Sequence, residues 1–295
     1  MSRVDAVPAP LLVLAGVVSV QFGGALAATL VPQIGAAGSV VLRLLIATAL
    51  LLLFARPRWR GHRLRDWATV GCFGLALGLM NFAFYASLGH LPIGVAVTIE
   101  FIGPLTLAAV LSRRPRDLLA VAAASVGVVL ISQALSLPFA DLERTGIVLA
   151  LLAGACWAAY IVFSGRTGAA FPQLEGLALA MVVATAVVLP FGIWDVSVHG
   201  TSAWDGTVLL KGLGIAVLSS VLPYSLELLA LRRLAPAVFG ILLSLEPAVA
   251  ALAGLLVLGQ RLDPVQLSGM ALVVLASFLV LGLGAGRGRQ PDLPA

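Results

Sequence analysis

Ten stretches of about 20 predominantly apolar residues run through this 295-residue chain, at positions 10–30, 36–55, 67–88, 93–111, 118–134, 145–165, 175–194, 207–229, 236–258 and 265–284. About 20 such residues in a helix rising ~1.5 Å each span the ~30 Å hydrocarbon core of a bilayer. Turn chemistry separates the stretches: Pro32 with Gly35, Gly89 with Pro92, Pro115, Pro138, Pro172, the segment 195–206, Pro236, and Asp263 with Pro264. The pattern predicts an all-α polytopic membrane protein of ten transmembrane helices. Composition agrees: 61% of the residues are apolar and 11% charged, too few charges to cover a soluble domain of this length. A soluble enzyme, a disordered chain and a nucleic-acid reader are excluded.

The net charge of +5 describes topology. Fourteen of the 18 basic residues fall on one side of the ten-span arrangement: Arg3, Arg56, Arg58, Arg60, Arg63, Arg65, Arg113, Arg114, Arg116, Arg166, Arg232, Arg233, Arg287 and Arg289. The opposite loops hold Arg144 and Arg261 among several carboxylates. The positive-inside rule makes the basic side cytoplasmic and places both termini there, as expected of a multi-pass protein of the cell (inner or plasma) membrane. The first stretch reads as a retained helix, because its apolar run exceeds the ~7–15 residues of a leader core and Arg3 is offset by Asp5. Cys72 and Cys156 each sit in an apolar run and suggest no disulfide, while His62, His90 and His199 fall in loops, so neither a metal centre nor a cofactor is expected.

The chain matches itself when shifted. An offset of 137 lays the segment from Ile46 to Phe54 over that from Val183 to Phe191, and one of 143 lays Leu91 over Leu234 and Pro104 over Pro247. Residues 1–144 and 145–295 therefore read as two copies of a five-helix unit. Five spans return the chain on the opposite side, so the second copy is inverted, a build common in secondary transporters with substrate bound near the midplane.

Four ionisable residues fall deep within the apolar stretches: Arg43, Glu100, Glu227 and Glu246. Each costs a few kcal/mol or more on an isolated helix and needs a partner or a wet cavity. Arg43 and Glu100 lie at the same depth, ~10 Å from the outer edge, and an ion pair between them is one expectation. Asn81 rises to a similar level. Glu246 sits ~15 Å from the cytoplasmic edge, near the midplane, with no second arginine to partner it. Glu227 precedes Arg232 and Arg233 by about a turn and reads either as an interfacial charge pair or as a site residue. Pro104 and Pro247 cannot donate to the carbonyls of Glu100 and Leu243, which frees two backbone acceptors at matching repeat positions. Gln21, Tyr85, Trp157, Tyr160, Tyr224 and Ser225 supply hydrogen bonds and aromatic walls. Gly74 and Gly78 have the spacing of a close helix–helix contact.

Particular stretches add to this pattern: QFGGALAATLVPQIGA from Gln21, MNFAFYASLG from Met80, IEFIGPLT from Ile99, GACWAAYIV from Gly154, LPYSLELLALR from Leu222 and FGILLSLEPAVAALAGL from Phe239. Together they resemble the threonine/homoserine exporter branch of the EamA-type drug/metabolite transporters, essentially end to end. The resemblance implies ten helices as two inverted repeats and outward movement of small neutral amino acids, driven by the proton gradient. Ala28 stands where that family often carries a lysine.

The resulting expectation is a secondary active transporter, not an enzyme. Arg43 meets a substrate carboxylate, and Glu100 or Glu246 meets its ammonium or exchanges a proton. The expected partners are an amino-acid substrate, protons and the lipid bilayer, without nucleic acid; a monomer is compatible with this reading. Other metabolites or drugs of the same superfamily, including aromatic amino acids and nucleobases, are the alternative substrates. A passive channel lacks the repeated polar filter it would need. A membrane enzyme lacks paired aspartates, a histidine cluster or a nucleophile elbow.

Overall fold

The computed structural model describes residues 7–112, 114–133, 142–199, 204–258 and 262–282. Every regular element among them is helical. In chain order these are α1 (Ala9–Ala55), α2 (Leu64–Ser87), α3 (Ile93–Leu111), α4 (Pro115–Ser132), α5 (Arg144–Ala170) and α6 (Glu175–His199). The chain continues with α7 (Gly206–Ala216), a π-helical turn (Val217–Val221), α8 (Leu222–Leu231), α9 (Pro236–Leu243), α10 (Leu245–Leu258) and α11 (Pro264–Gly282). Eight helical segments among the described residues are long and apolar enough to cross a bilayer, with α7, the π turn and α8 forming one of them. Ala9–Gly24 and Pro236–Leu252 are shorter apolar helices. The chain is a polytopic all-helical membrane protein.

Proline and glycine set the breaks. The turn expected at Pro32 and Gly35 is a single-residue discontinuity inside α1: Gly35 takes φ 74° and ψ 168°, a conformation that favours glycine. Pro247 lacks the N–H for the Leu243 carbonyl, and the helix is interrupted there, with α9 ending at Leu243 and α10 beginning at Leu245. Its sequence counterpart Pro104 lies inside an unbroken α3. Pro223 likewise frees the carbonyl of Ser219, and the chain there opens into the π turn.

In lipid the apolar solvent supplies no drive for helices to associate, so close packing must do it. Small residues let backbones touch. A Cβ on Gly74 would sit 2.4 Å from the Ala180 carbonyl oxygen of α6, and one on Gly78 would sit 2.9 Å from that of Ala184. A Cβ on Gly154 of α5 would sit 2.5 Å from the Glu100 carbonyl oxygen of α3. Large apolar side chains such as Phe54, Val110, Leu119, Ile193, Leu210 and Phe278 remain exposed around the bundle, as lipid contact requires.

Two contacts are reciprocal. Thr48 and Thr185, 137 residues apart, place their hydroxyls 2.7 Å from each other. Thr48 Oγ1 lies 3.1 Å from the Met181 carbonyl oxygen, and Thr185 Oγ1 lies 3.3 Å from that of Leu44. Gly127 of α4 and Gly269 of α11 behave likewise, a Cβ on either falling 2.8 Å from the other's carbonyl oxygen. Polar contacts tie both ends of the bundle. At one, His90 Nδ1 meets Glu143 Oε2 at 2.9 Å and Gln133 donates to Asp263 at 2.6 Å. At the other, Arg232 donates to the carbonyls of Phe171 and Gln173.

Candidate functional site

A cavity of about 460 Å³ opens inside the bundle, with side chains contributed by both arms of α1, by α2, α3 and α5, by the π turn with α8, and by α10. This is within the range of small-molecule sites. Its floor and sides follow from the packing just described. The first arm of α1 presses so closely on the π turn that a Cβ on Gly23 would fall 2.0 Å from Ser219 Oγ. Ser19 donates to the Leu218 carbonyl at 2.7 Å, satisfying backbone within the π turn. The Gly103–Gly154 approach draws α3 against α5, and Glu100 of α3 and Trp157 of α5 both line the cavity.

Arg43 is only 7% exposed. Its guanidinium donates to Asn81 Oδ1 and lies 5.7 Å from the centre of the Tyr85 ring, a cation–π arrangement. Asn81 Nδ2 donates in turn to the Leu77 carbonyl at 2.9 Å and to the Tyr224 hydroxyl at 3.2 Å. Asn81 thus joins α1, α2 and α8 at one point. The Arg43–Glu100 ion pair expected from equal depth does not form among the described residues: the amide of Asn81 takes the guanidinium instead. Equal height on two helices does not make two side chains face each other.

The carboxylates occupy other parts of the cavity. Glu227, 5% exposed, accepts a hydrogen bond from the Tyr160 hydroxyl at 2.6 Å and lines the cavity. Glu100 and Glu246 also line the cavity, and among the described residues neither makes an ion pair or a side-chain hydrogen bond. Aromatic rings frame them: Phe101 meets Trp157 edge-on at 4.8 Å between centroids, and Tyr160 lies 5.8 Å from Tyr224 and 5.4 Å from Phe73. The arrangement offers one guanidinium and three carboxylates to a small solute, within walls that can pack an apolar body.

Gln21 also lines the cavity, from the first arm of α1. Ser225 does not; it is half-buried on α8, and its hydroxyl has no hydrogen-bond partner among the described residues. The side chain of Ala28 lies outside what is described. Ser219 is a cavity residue that sequence reasoning missed, together with the apolar surface of Met80, Phe84 and Ile93. Pro223 was the available signal for Ser219, since a proline four residues on frees that residue's carbonyl and opens the helix locally.

Comparison with known proteins gives the chain its family. The EamA-like transporter family profile matches residues 144–282. The chain is 39% identical over 268 residues to the threonine/homoserine exporter RhtA of Escherichia coli (strain K12), covering 90% of this chain and 89% of that protein. It is 39% identical over 269 residues to the same-named exporter of Salmonella typhimurium (strain LT2), covering 91% and 89%. A crystal structure 17% identical in sequence matches with a TM-score of 0.74 over 94% of this chain and 97% of that one, a likeness of fold. On this similarity across nearly the whole length, the chain belongs to the EamA-like transporter family, alongside the RhtA exporters.

Proposed function

We propose that this protein is a secondary active transporter that exports small neutral amino acids of the threonine and homoserine kind by alternating access, in exchange for protons. The observation that carries the reading is the charge layout of the cavity: a held guanidinium at Arg43, and two carboxylates, Glu100 and Glu246, that no described side chain occupies. An amino-acid zwitterion presents the complementary pair of charges. Arg43 receives its carboxylate, and Glu100 receives its ammonium. Glu246, near the centre of the bundle, exchanges the proton. Glu227 with Tyr160 closes one side of the chamber. The names of the RhtA relatives support the substrate class.

Ten spans, with both termini in the cytoplasm, complete the proposal. The two halves, residues 1–144 and 145–295, are inverted repeats that rock against each other. The reciprocal Thr48–Thr185 and Gly127–Gly269 contacts support this, because residue i touching j while j touches i is what a twofold relation between two copies produces. Of the polar ties at the two ends, Gln133–Asp263 crosses between the halves, and it is then a contact that breaks and re-forms as access alternates. Localisation in the cell membrane follows from the same reading.

The rings of Tyr85, Trp157 and Tyr224 favour a second reading in the same class, with aromatic amino acids or flat metabolites as cargo. Proteoliposomes loaded with labelled amino acids test both. Saturable, gradient-dependent release of threonine and homoserine, competed weakly by tryptophan and nucleobases, is the expected result. Preference for aromatic cargo selects the second reading, and flux without saturation overturns both in favour of a pore.

A further inference from the structure

The turn between α1 and α2 carries a concentration of charge that the transport reading leaves unused. Five arginines, Arg56, Arg58, Arg60, Arg63 and Arg65, fall within ten residues, and all five are exposed. Among the described residues no guanidinium of the five forms an ion pair. The two nearby carboxylates serve backbone instead: Asp66 accepts from the Arg63 N–H at 3.0 Å, and Glu175 accepts from the Arg58 N–H at 3.2 Å.

Two apolar side chains stand among these arginines without cover. Trp59 is 59% exposed and stacked on Trp67, with ring centroids 6.3 Å apart, and Leu64 is 86% exposed. In water such a Trp–Leu pair would be a liability. Position resolves it. Arg56 directly follows the apolar helix that ends at Ala55, and Leu64 opens the next one, so the turn lies at the bilayer surface. Tryptophan favours that level, where its ring reaches the acyl chains and its N–H reaches water. The arginines are then held beside lipid phosphates, and the guanidinium fork matches phosphate geometry.

We propose that residues 56–65 form a binding site for anionic phospholipid, with the arginines on the headgroup phosphates and Trp59 and Leu64 among the upper acyl chains. Two left-handed residues, Arg56 at φ 44° and Gly61 at φ 94°, give the turn a defined shape instead of a floppy basic tail. The Arg58–Glu175 contact links the turn to the start of α6, so lipid held here braces α1, α2 and α6 together. A basic loop that served only to orient the chain during insertion would show no lipid preference once folded. The proposal depends on the membrane-spanning reading and not on the transported substrate.

The test uses the full chain in vesicles mixing phosphatidylcholine with phosphatidylglycerol, with bromine on the acyl chains of one lipid or the other. The quenching specific to Trp59 is the difference between the parent and Trp59→Phe. The expected result is quenching roughly twofold stronger from brominated phosphatidylglycerol than from an equal mole fraction of brominated phosphatidylcholine. That preference disappears in Arg58→Gln/Arg60→Gln/Arg63→Gln and survives in the matching lysine variant. Should the glutamine variant fail to fold, the parent in about 1 M salt decides, since screening to about 3 Å should abolish the preference. Equal quenching by the two lipids, no quenching of Trp59, or a preference indifferent to both charge removal and salt would each overturn the site.

Discussion

The two charged sides of the cavity are built differently. Arg43 is tied down on several sides: Asn81 accepts from it, the Tyr85 ring faces it, and Asn81 is itself fixed by Leu77 and Tyr224. Glu100 and Glu246 have no such scaffold among the described residues, and Glu227 has the Tyr160 hydroxyl. A cation in a fixed hydrogen-bond frame keeps its place whatever the cavity holds. A carboxylate without a protein partner takes its partner from the cavity contents, whether ammonium, proton or water. On the proposed function, the contrast separates a permanent binding element from exchangeable ones.

Removing the fixed element should do most damage. Arg43→Ala is expected to lower transport kcat/KM roughly 100-fold, the loss of a charge-assisted contact of about 3 kcal/mol. Arg43→Lys should recover only part, because an ammonium lacks the planar fork. A folded Arg43→Ala protein with unchanged apparent affinity would reduce Arg43 to a helix staple. Glu246→Gln comes next, with gradient-driven uptake in proteoliposomes falling about tenfold, the equivalent of about 1.4 kcal/mol, while amino-acid counterflow persists. Unchanged gradient-driven uptake would remove Glu246 from proton exchange.

Asn81→Ala should raise KM about fivefold with little change in kcat, since Asn81 aims the guanidinium by a hydrogen bond worth about 1 kcal/mol. Asn81→Asp sharpens the point: it keeps a partner for Arg43 but supplies a competing carboxylate, so affinity for a zwitterion should fall further than in Asn81→Ala. The smallest effect belongs to the seam between α1 and α6. Thr48→Val and Thr185→Val should each cost about 0.6 kcal/mol in a stability assay in detergent, and the double variant less than their sum, because the two share the hydroxyl–hydroxyl contact while each also loses its own carbonyl partner. Additive losses would separate the two hydroxyls.

How far the site could be read in advance depended on what kind of question was asked. Depth is countable from sequence, so Arg43, Glu100, Asn81 and Glu246 were found as polar groups within the apolar stretches. Azimuth is not countable. Arg43 and Glu100 share a level, yet the guanidinium turns to Asn81 because α1 packs so as to present it there. Glu227 had two readings in the sequence, and nothing in the sequence announces the approach of Tyr160 from α5. Ser225 was named in the sequence and Ser219 was not, yet the π turn brings Ser219 to the cavity and Ser225 does not line it.

The apolar stretches by themselves determined the solvent of this protein and the helical state of its chain, because a run of about 20 apolar residues satisfies its own backbone locally and needs no other part of the molecule. Tertiary structure alone decided which polar groups meet. Contact across helices depends on where small residues let backbones close, as Gly23 does against Ser219 and Gly103 against Gly154. Those approaches are set between segments far apart in the chain, so no local pattern records them, and they turned scattered intramembrane charges into one chamber.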